Sequence, residues 1–468
     1  MTDLATGPDG TVTADAVVVG GGMAGLTAAH ALVEAGRRPV LLEAATDVGG
    51  LVVGGTVGGH EIDLGAEAFA LRRPEVRALA ESLGLAVELP AGGSWVYATG
   101  RAFPIPAESL LGIPADPTAE DVRAALSPDG VARAVQDASL ERSVGADVED
   151  LAGLVRARMG EEVLDRLVGP IAGGIHSADP ADLAVDTVLP GLRAGLGRHG
   201  SLAAAVRAMR SAVPAGPAVA TTSGGLFRLP RALAAAVTAG GGHVRTRATV
   251  TAVRPGYGWE VDVQAGDGGP RRICTDRLVV ATDGRAAMNL LDGVLPGPLP
   301  TLPSGSAITH VTLAVRAPAL DHAPRGAGLL VAPGPGPVRA KALTHASAKW
   351  PWLAAATTPG EHLLRLSYGR PGEPQAVPAD VALASADAGQ LLSAPIDEVL
   401  DAVVVNRSGA LAPTTPAHRG AVADLQERAA TLPGLAVTGA WVAGTGLGST
   451  VPHGRAAGEA VARFTNFS

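Results

Sequence analysis

Cys274 is the single cysteine among 468 residues, so neither a disulfide framework nor a cysteine metal cluster can form within one chain. Lysine is nearly as scarce, with Lys341 and Lys349 the only two. The other basic side chains are arginines, which suit carboxylate recognition. Aromatic residues make up 3% and charged residues 18% of the chain, so the core has to be built mainly from Ala, Val and Leu. A net charge of −8 argues against a nucleic-acid partner. No apolar run is long enough to span a bilayer. Met1–Thr13 lacks the charged and apolar pattern of a signal peptide. The expectation is a cytoplasmic protein of two or three domains, with contact at a membrane surface left open.

Glycine is what the chain has in abundance, 62 residues. Its most organised use is Ala14-Asp-Ala-Val-Val-Val-Gly20-Gly21-Gly22-Met23-Ala24-Gly25. Val17, Val18 and Val19 read as a strand buried on both faces. Gly20, Gly22 and Gly25 then supply a tight turn, a close backbone approach to a pyrophosphate, and close helix–strand packing. A helix to about Ala35 presents its positive end to phosphates. Gly36 stops it, and Arg38–Glu43 reads as the second strand. Glu43 falls eighteen residues past Gly25, where an acidic side chain receives ribose hydroxyls. Strand, turn, helix, strand and acid in this order predict a dinucleotide site. The acid disfavours NADP and leaves FAD and NAD open. The paired Gly49-Gly50 bring backbone near the cofactor a second time.

Helical periodicity marks Glu75–Leu83, Ala119–Ala125 and Asp147–Leu167. A helix over Arg231–Ala239 ends at Gly240-Gly241-Gly242, and His243–Val253 and Trp259–Val263 alternate as hairpin strands. Arg277–Asp283 is a further buried strand. Short strands are predicted at Ala307–Val315, Leu329–Val331 and His362–Tyr368, with a last core strand over Leu435–Trp441. A glycine turn from Gly444 then enters a final helix, in which Pro452 suits a first-turn position.

Several of these stretches resemble the flavin amine-oxidase superfamily, and within it the porphyrinogen oxidases of haem synthesis. Gly65-Ala66-Glu67-Ala68-Phe69 is similar to that group's Gly-Pro-Asp-Ser-Phe turn. Trp95-Val-Tyr97, Phe103-Pro-Ile-Pro106 and Leu111-Gly-Ile-Pro114 resemble its early hairpin. Gly160-Glu-Glu-Val-Leu164 with Ala172-Gly-Gly174-Ile-His176-Ser-Ala-Asp179-Pro180 resembles its most specific signature. The likeness runs from about Asp15 to Arg463.

The resemblance implies a Rossmann-like α/β FAD-binding domain of the glutathione-reductase kind, interleaved with an α+β substrate domain and a helical insert. The FAD-binding parts fall at 1–75, 216–290 and 406–468, the helical insert at 76–215 and the substrate-domain sheet at 291–405. It places the cofactor against Gly20, Gly21, Gly22, Met23, Ala24, Gly25, Glu43, Ala44, Gly50, Leu51, Gly65, Ala66, Glu67, Ala68, Val250, Gly439, Ala440, Thr445, Gly446 and Leu447. A second nucleotide-type turn at the far end of the chain favours FAD over NAD. Gly174 aligns with a glycine bordering the substrate ring.

The implied reaction is oxidation of coproporphyrinogen III, the favoured substrate, and also of protoporphyrinogen IX, to the porphyrin. Hydride leaves methylene carbons for the flavin, and O2 takes up the electrons to give H2O2. Hand-over of product to a ferrochelatase-type enzyme is the implied partnership, and no metal is implied. No protein base stands out; His176 and His453 are the histidines in matched motifs. Arg101, Arg228 and Arg365 are candidate partners for substrate carboxylates. The chain departs from the family at Leu51, Ser94 and Asp283, where relatives carry a basic residue, a basic residue and proline. An amine oxidase or desaturase on the same scaffold, or a porphyrin-binding flavoprotein without turnover, are the alternatives. Cys274 lies far in sequence from the C-terminal turn, which disfavours a cysteinyl-flavin.

Overall fold

The computed structural model describes residues 12–176, 178–212, 218–266, 268–302, 306–370, 379–411, 415–444 and 446–465. Its central element is a five-stranded parallel sheet. The order is His243–Arg245, Pro39–Leu42, Ala16–Val19, Leu278–Val280, Leu435–Val437. The middle strand is covered on both faces. Val17, Val18 and Ala16 are fully buried, which is why this segment reads as continuous rather than alternating. Ala16 and Val18 face a layer of helices, including Met23–Glu34, Arg228–Ala239 and Leu447–Ala462. Val17 and Val19 face the antiparallel strands Ala248–Gly256, Gly258–Ala265 and Gly268–Thr275. The chain leaves Ala16–Val19 for a neighbour on one side and later returns on the other. This makes the carboxyl end of that strand a topological switch point, where open α/β sheets bind ligands.

A seven-stranded sheet forms the second body. Its order is Glu398–Leu411, Ser306–Arg316, Glu361–Tyr368, Ala342–His345, Gly328–Val331, Ser94–Ala98, Arg101–Pro104. One face is packed by the helix Val381–Leu392, through Ala384, Ala388, Leu391 and Leu392. The third body is helical and has its own apolar core around Leu151, Leu154, Met159 and Leu167. At its centre Arg158 and Asp137 form a buried ion pair, Nε to Oδ1 2.6 Å. Arg158 also donates to the carbonyls of Glu141, Asp137 and Gly200, and Asp137 Oδ2 accepts from Ala203 N–H. Full satisfaction is what a buried pair requires. No described helix is long and apolar enough to cross a membrane.

Three predicted elements are corrected. The helix expected over Asp147–Leu167 starts at Leu151, capped by Asp150 Oδ1 on Gly153 N–H at 2.7 Å, and ends at Gly160 with φ +92°. A wide turn over Leu164–Val168 then feeds the helix Gly169–His176. Pro170 explains the widening: it lacks an N–H and its ring crowds the preceding turn. The run His243–Val253 splits at Arg247, whose φ is +54°, so its first part joins the parallel sheet instead of a hairpin. Trp441 lies in the one-turn helix Ala440–Ala443, not in the last core strand, which is Leu435–Val437.

Candidate functional site

At the switch point the backbone itself is the building material. Gly20 carries φ +104°, and a Cβ there would stand 2.7 Å from the Ala281 carbonyl oxygen. A Cβ at Gly25 would collide with the Gly20 carbonyl, so only glycine lets the helix start this close to the strand. The helix Met23–Glu34 begins at Gly22 with no side-chain cap. The helix Leu447–Ala462 begins at Gly446, also uncapped. Among the described residues, and chain neighbours aside, no atom lies within 4 Å of a Cβ added at either glycine. Two uncapped helix N-termini with free space in front are suited to anionic ligand groups.

The two helices pack directly on each other. Cβ atoms at Gly454 and Gly458 would overlap the carbonyls of Ala24 and Ala28, so a repeated glycine four residues apart meets a repeated alanine at the same spacing. This contact ties the first and last nucleotide-facing turns into one unit. Thr27 Oγ1 also lies where a Cβ at Gly454 would stand, while it donates within its own helix to the carbonyls of Met23 and Ala24.

Glu43 is held by two backbone N–H groups, from Gly21 at 2.6 Å and Ala45 at 2.7 Å. A carboxylate accepts about four hydrogen bonds, so it retains capacity for ribose hydroxyls. The glycine loops are linked in series. Gly49 N–H donates to Gly21 O, and Ala66 N–H to Leu51 O, both at 2.8 Å. A Cβ at Gly50 would stand 3.2 Å from Gly22 Cα. Ala44 is exposed beside Glu43. Val250 sits where the register slips by one residue before Ala252, on a strand whose Ala248 N–H donates to Glu43 O. Gly439 and Ala440 lie next to Thr282, at the same carboxyl edge as Gly20. Leu447 opens the last helix. Thr445 is outside the described residues.

Glu67 is the point where this loop series meets the seven-stranded sheet. Its Oε1 accepts from Lys349 Nζ at 2.5 Å and its Oε2 lies 2.9 Å from Arg365 Nη2. Burial alone would raise its pKa; the charges of Arg365 and Lys349 reverse that and hold it at about 2. Arg365 also donates to Gly65 O at 2.7 Å. Its guanidinium is thus engaged by the loop and by Glu67. Ala68 packs in the apolar cluster alongside. Burial pushes Asp63 up to about 7, outweighing the N–H groups of Leu226 and Phe227 that it accepts. His310, on the same sheet face, has Nδ1 3.5 Å from Leu64 O. Burial, then the positive charge of Arg365, lowers its pKa to about 3. Neither Asp63 nor His310 was singled out by the sequence reading; the signal for His310 was its position in an alternating strand.

The remaining candidates separate. His453 Nδ1 lies 2.8 Å from Thr438 Oγ1, between the last helix and the parallel sheet. His176 ends its helix in the helical body, half-buried, with burial and Arg72 lowering its pKa. Among the described residues no hydrogen bond joins the two. Gly174 is not a helix end: the helix continues to His176, and a Cβ at Gly174 would press 2.8 Å from Leu330 Cδ2. Its lack of a side chain brings this helix onto the sheet. Arg101 and Arg228 are exposed. Ser94 starts an exposed strand end. Asp283 departs from proline for a local reason: its Oδ1 caps the helix Gly284–Leu291, accepting from Arg285 and Ala286 N–H at 2.9 and 3.0 Å.

Pro452 is corrected too. The last helix starts at Leu447, so Pro452 stands in its second turn. The N–H it lacks would have met the Gly448 carbonyl. Arg73 lies across Gly448 instead, with Nη1 3.5 Å from that oxygen.

Residues 23–331 match the model of the flavin containing amine oxidoreductase family. The chain belongs to that family. It is 32% identical to the coproporphyrinogen III oxidase of Mycobacterium tuberculosis, covering 95% of this chain and 96% of that protein. It is 23% identical to the Bacillus subtilis coproporphyrinogen III oxidase over 94% and 96%. Among solved structures, a proposed protoporphyrinogen oxidase from Exiguobacterium superposes with TM-score 0.81 at 22% identity, covering 98% of this chain and 99% of that one. Putrescine oxidase bound to putrescine gives TM-score 0.63 at 18% identity, over 97% and 100%. The family implies a flavin, and the uncapped helices, open glycines and Glu43 fit one.

Proposed function

We propose that this protein oxidises coproporphyrinogen III to coproporphyrin III, with FAD as cofactor and O2 as final acceptor. FAD, when bound, accepts the two electrons of each oxidation and passes them to O2 as H2O2. The observation that carries the reading is the near-complete match, at 32% identity over 95% of the chain, to proteins of that name. The site supports it. The two helix N-termini at Gly22 and Gly446 would receive the pyrophosphate and the anionic end of the ring, and Glu43 would receive the ribose. The Glu67–Arg365–Lys349 cluster fixes the loop that joins this clasp to the sheet. The protein acts in the cytoplasm and passes its porphyrin to a ferrochelatase-type enzyme.

The test is anaerobic titration of the flavin-loaded protein with coproporphyrinogen III and protoporphyrinogen IX side by side. The expected result is bleaching of the flavin by coproporphyrinogen III, and porphyrin fluorescence with H2O2 once air is admitted. Bleaching by amines alone, or tight porphyrin binding with no bleaching by either porphyrinogen, would overturn the reading.

A further inference from the structure

Among the described residues Arg407 is an uncompensated cation, on the sheet face that looks toward the candidate cofactor site. It lies in the strand Glu398–Leu411 and pairs with Ile308, while Val405 pairs with His310. Directly opposed residues of an antiparallel pair point to the same side, and every second residue shares that side. Arg407, Ile308 and His310 therefore share one face. His310 fixes which face it is, because its ring reaches Leu64 O in the loop before Gly65. The opposite face, with Val311 and Leu313, is covered by the helix Val381–Leu392.

Three observations set Arg407 apart. Its Nε is shielded from water and has no hydrogen-bond partner. No ion pair forms to it among the described residues. Burial lowers its pKa, with no neighbouring carboxylate offsetting the effect. Arg365, on the same face, shows the contrast: its charge is met by Glu67. The potential around His310 is already positive, since Arg365 and Lys341 both disfavour its protonation. A half-buried guanidinium in a positive environment is costly unless an anion completes it.

We infer that Arg407 binds a carboxylate of the tetrapyrrole substrate. The inference rests on the porphyrinogen reading above and names one of its specificity contacts. Arg407 does not replace the basic residue missing at Ser94. The two positions are five strand spacings apart, about 24 Å across the sheet at about 4.8 Å per strand. It therefore serves a different carboxylate, at the other end of the face.

Coproporphyrin III, with four free carboxylates, is titrated against the FAD-loaded protein by fluorescence quenching, beside its tetramethyl ester. R407Q is expected to weaken binding of the acid by about 10- to 100-fold, the range of one charge-assisted pair. Binding of the ester should change less than about twofold on the same scale. R407K keeps the charge and should recover part of the affinity for the acid, which a folding defect would not allow. An equal loss for acid and ester, no loss at all, or no recovery in R407K overturns the assignment. Turnover of coproporphyrinogen III is measured separately. Wild-type protein that binds coproporphyrin III but leaves porphyrinogen unoxidised sinks the reaction, and the acid-to-ester ratio still decides Arg407.

Discussion

The two walls of the candidate site are held together by different physics. The nucleotide side is backbone on backbone: Gly20 on Ala281, Gly25 on Gly20, and Gly454 and Gly458 on Ala24 and Ala28. Its interactions are short-range and intolerant of added atoms. The sheet side is held by charge: Glu67 joins Arg365 and Lys349, residues some 280 to 300 positions away in the chain. The first kind of order tolerates pH and salt but not volume. The second tolerates small changes of volume but depends on every charge having its partner. Substitutions and pH can therefore be chosen to strike one wall and spare the other.

The largest effect is expected at Gly25. Gly25→Val places branched carbon where the Gly20 carbonyl stands and should cost about 4 kcal/mol or more. Flavin content and thermal melting report it; a flavin-loaded variant that melts like wild type would break the backbone account. Glu67→Ala comes next. It leaves two cations buried without their anion, at a cost of about 3–5 kcal/mol. Adding Arg365→Met should return part of that loss, since one orphaned charge is removed. If the double variant is no more stable than Glu67→Ala, the sheet wall is not ionic in the sense argued above. Gly458→Ala should cost about 1–3 kcal/mol by overpacking the helix pair, with no change in salt dependence, in contrast to Glu67→Ala.

The pH profile sharpens the same contrast. His345 is buried and His310 partly buried, and desolvation lowers both pKa values to about 3. An unfolded chain takes up these protons near pH 6.5, so stability is lost as pH falls from there toward 3. Glu67, held at about 2, adds a loss that begins near its ordinary 4.5 and ends near 2. Asp63 acts in the opposite sense: with its pKa raised to about 7, stability declines as pH rises from about 4 through 7. Denaturant midpoints measured from pH 3 to 8 should show the histidine limb in wild type and Glu67→Gln alike. Both should lose further stability below pH 4.5 through other carboxylates held low, such as Glu162 and Asp262, but wild type should steepen more; identical acid limbs would remove Glu67 from the balance.

The same division decides what the sequence could reveal. The nucleotide wall uses residues close together in the chain, so Val17–Gly25 and Glu43 announce a strand, a turn and an acid in order. The α/β architecture and the strand runs at Ala307–Val315 and His362–Tyr368 were legible for a related reason, since periodicity is local. The charged wall was not. Glu67, Lys349 and Arg365 are each ordinary surface-type residues until the fold joins them. Arg365 read as a candidate for a substrate carboxylate, because the anion it meets in the fold lies in another segment. The helix breaks at Gly160 and Pro170 were visible as residues, but the apolar periodicity running through them masked the change of direction. Asp283 looked like a departure from a motif because its capping role depends on the helix it starts.

Pro452 gives the smallest of these effects and probes the seam of the nucleotide wall. In the second turn of the last helix it leaves the Gly448 carbonyl without its N–H, and the long approach of Arg73 is a weak substitute. Pro452→Ala restores a helical N–H and relieves ring crowding. Against this, proline restricts the unfolded chain, which offsets part of the gain. The net expectation is a stabilisation of about 1 kcal/mol, read as a higher denaturant midpoint with flavin content unchanged. Arg73→Ala should then destabilise wild type by about 0.5 kcal/mol and Pro452→Ala by less, because the carbonyl no longer needs the guanidinium. Equal losses in the two backgrounds would mean that Arg73 contributes through its packing across Gly448 and not through the orphaned oxygen.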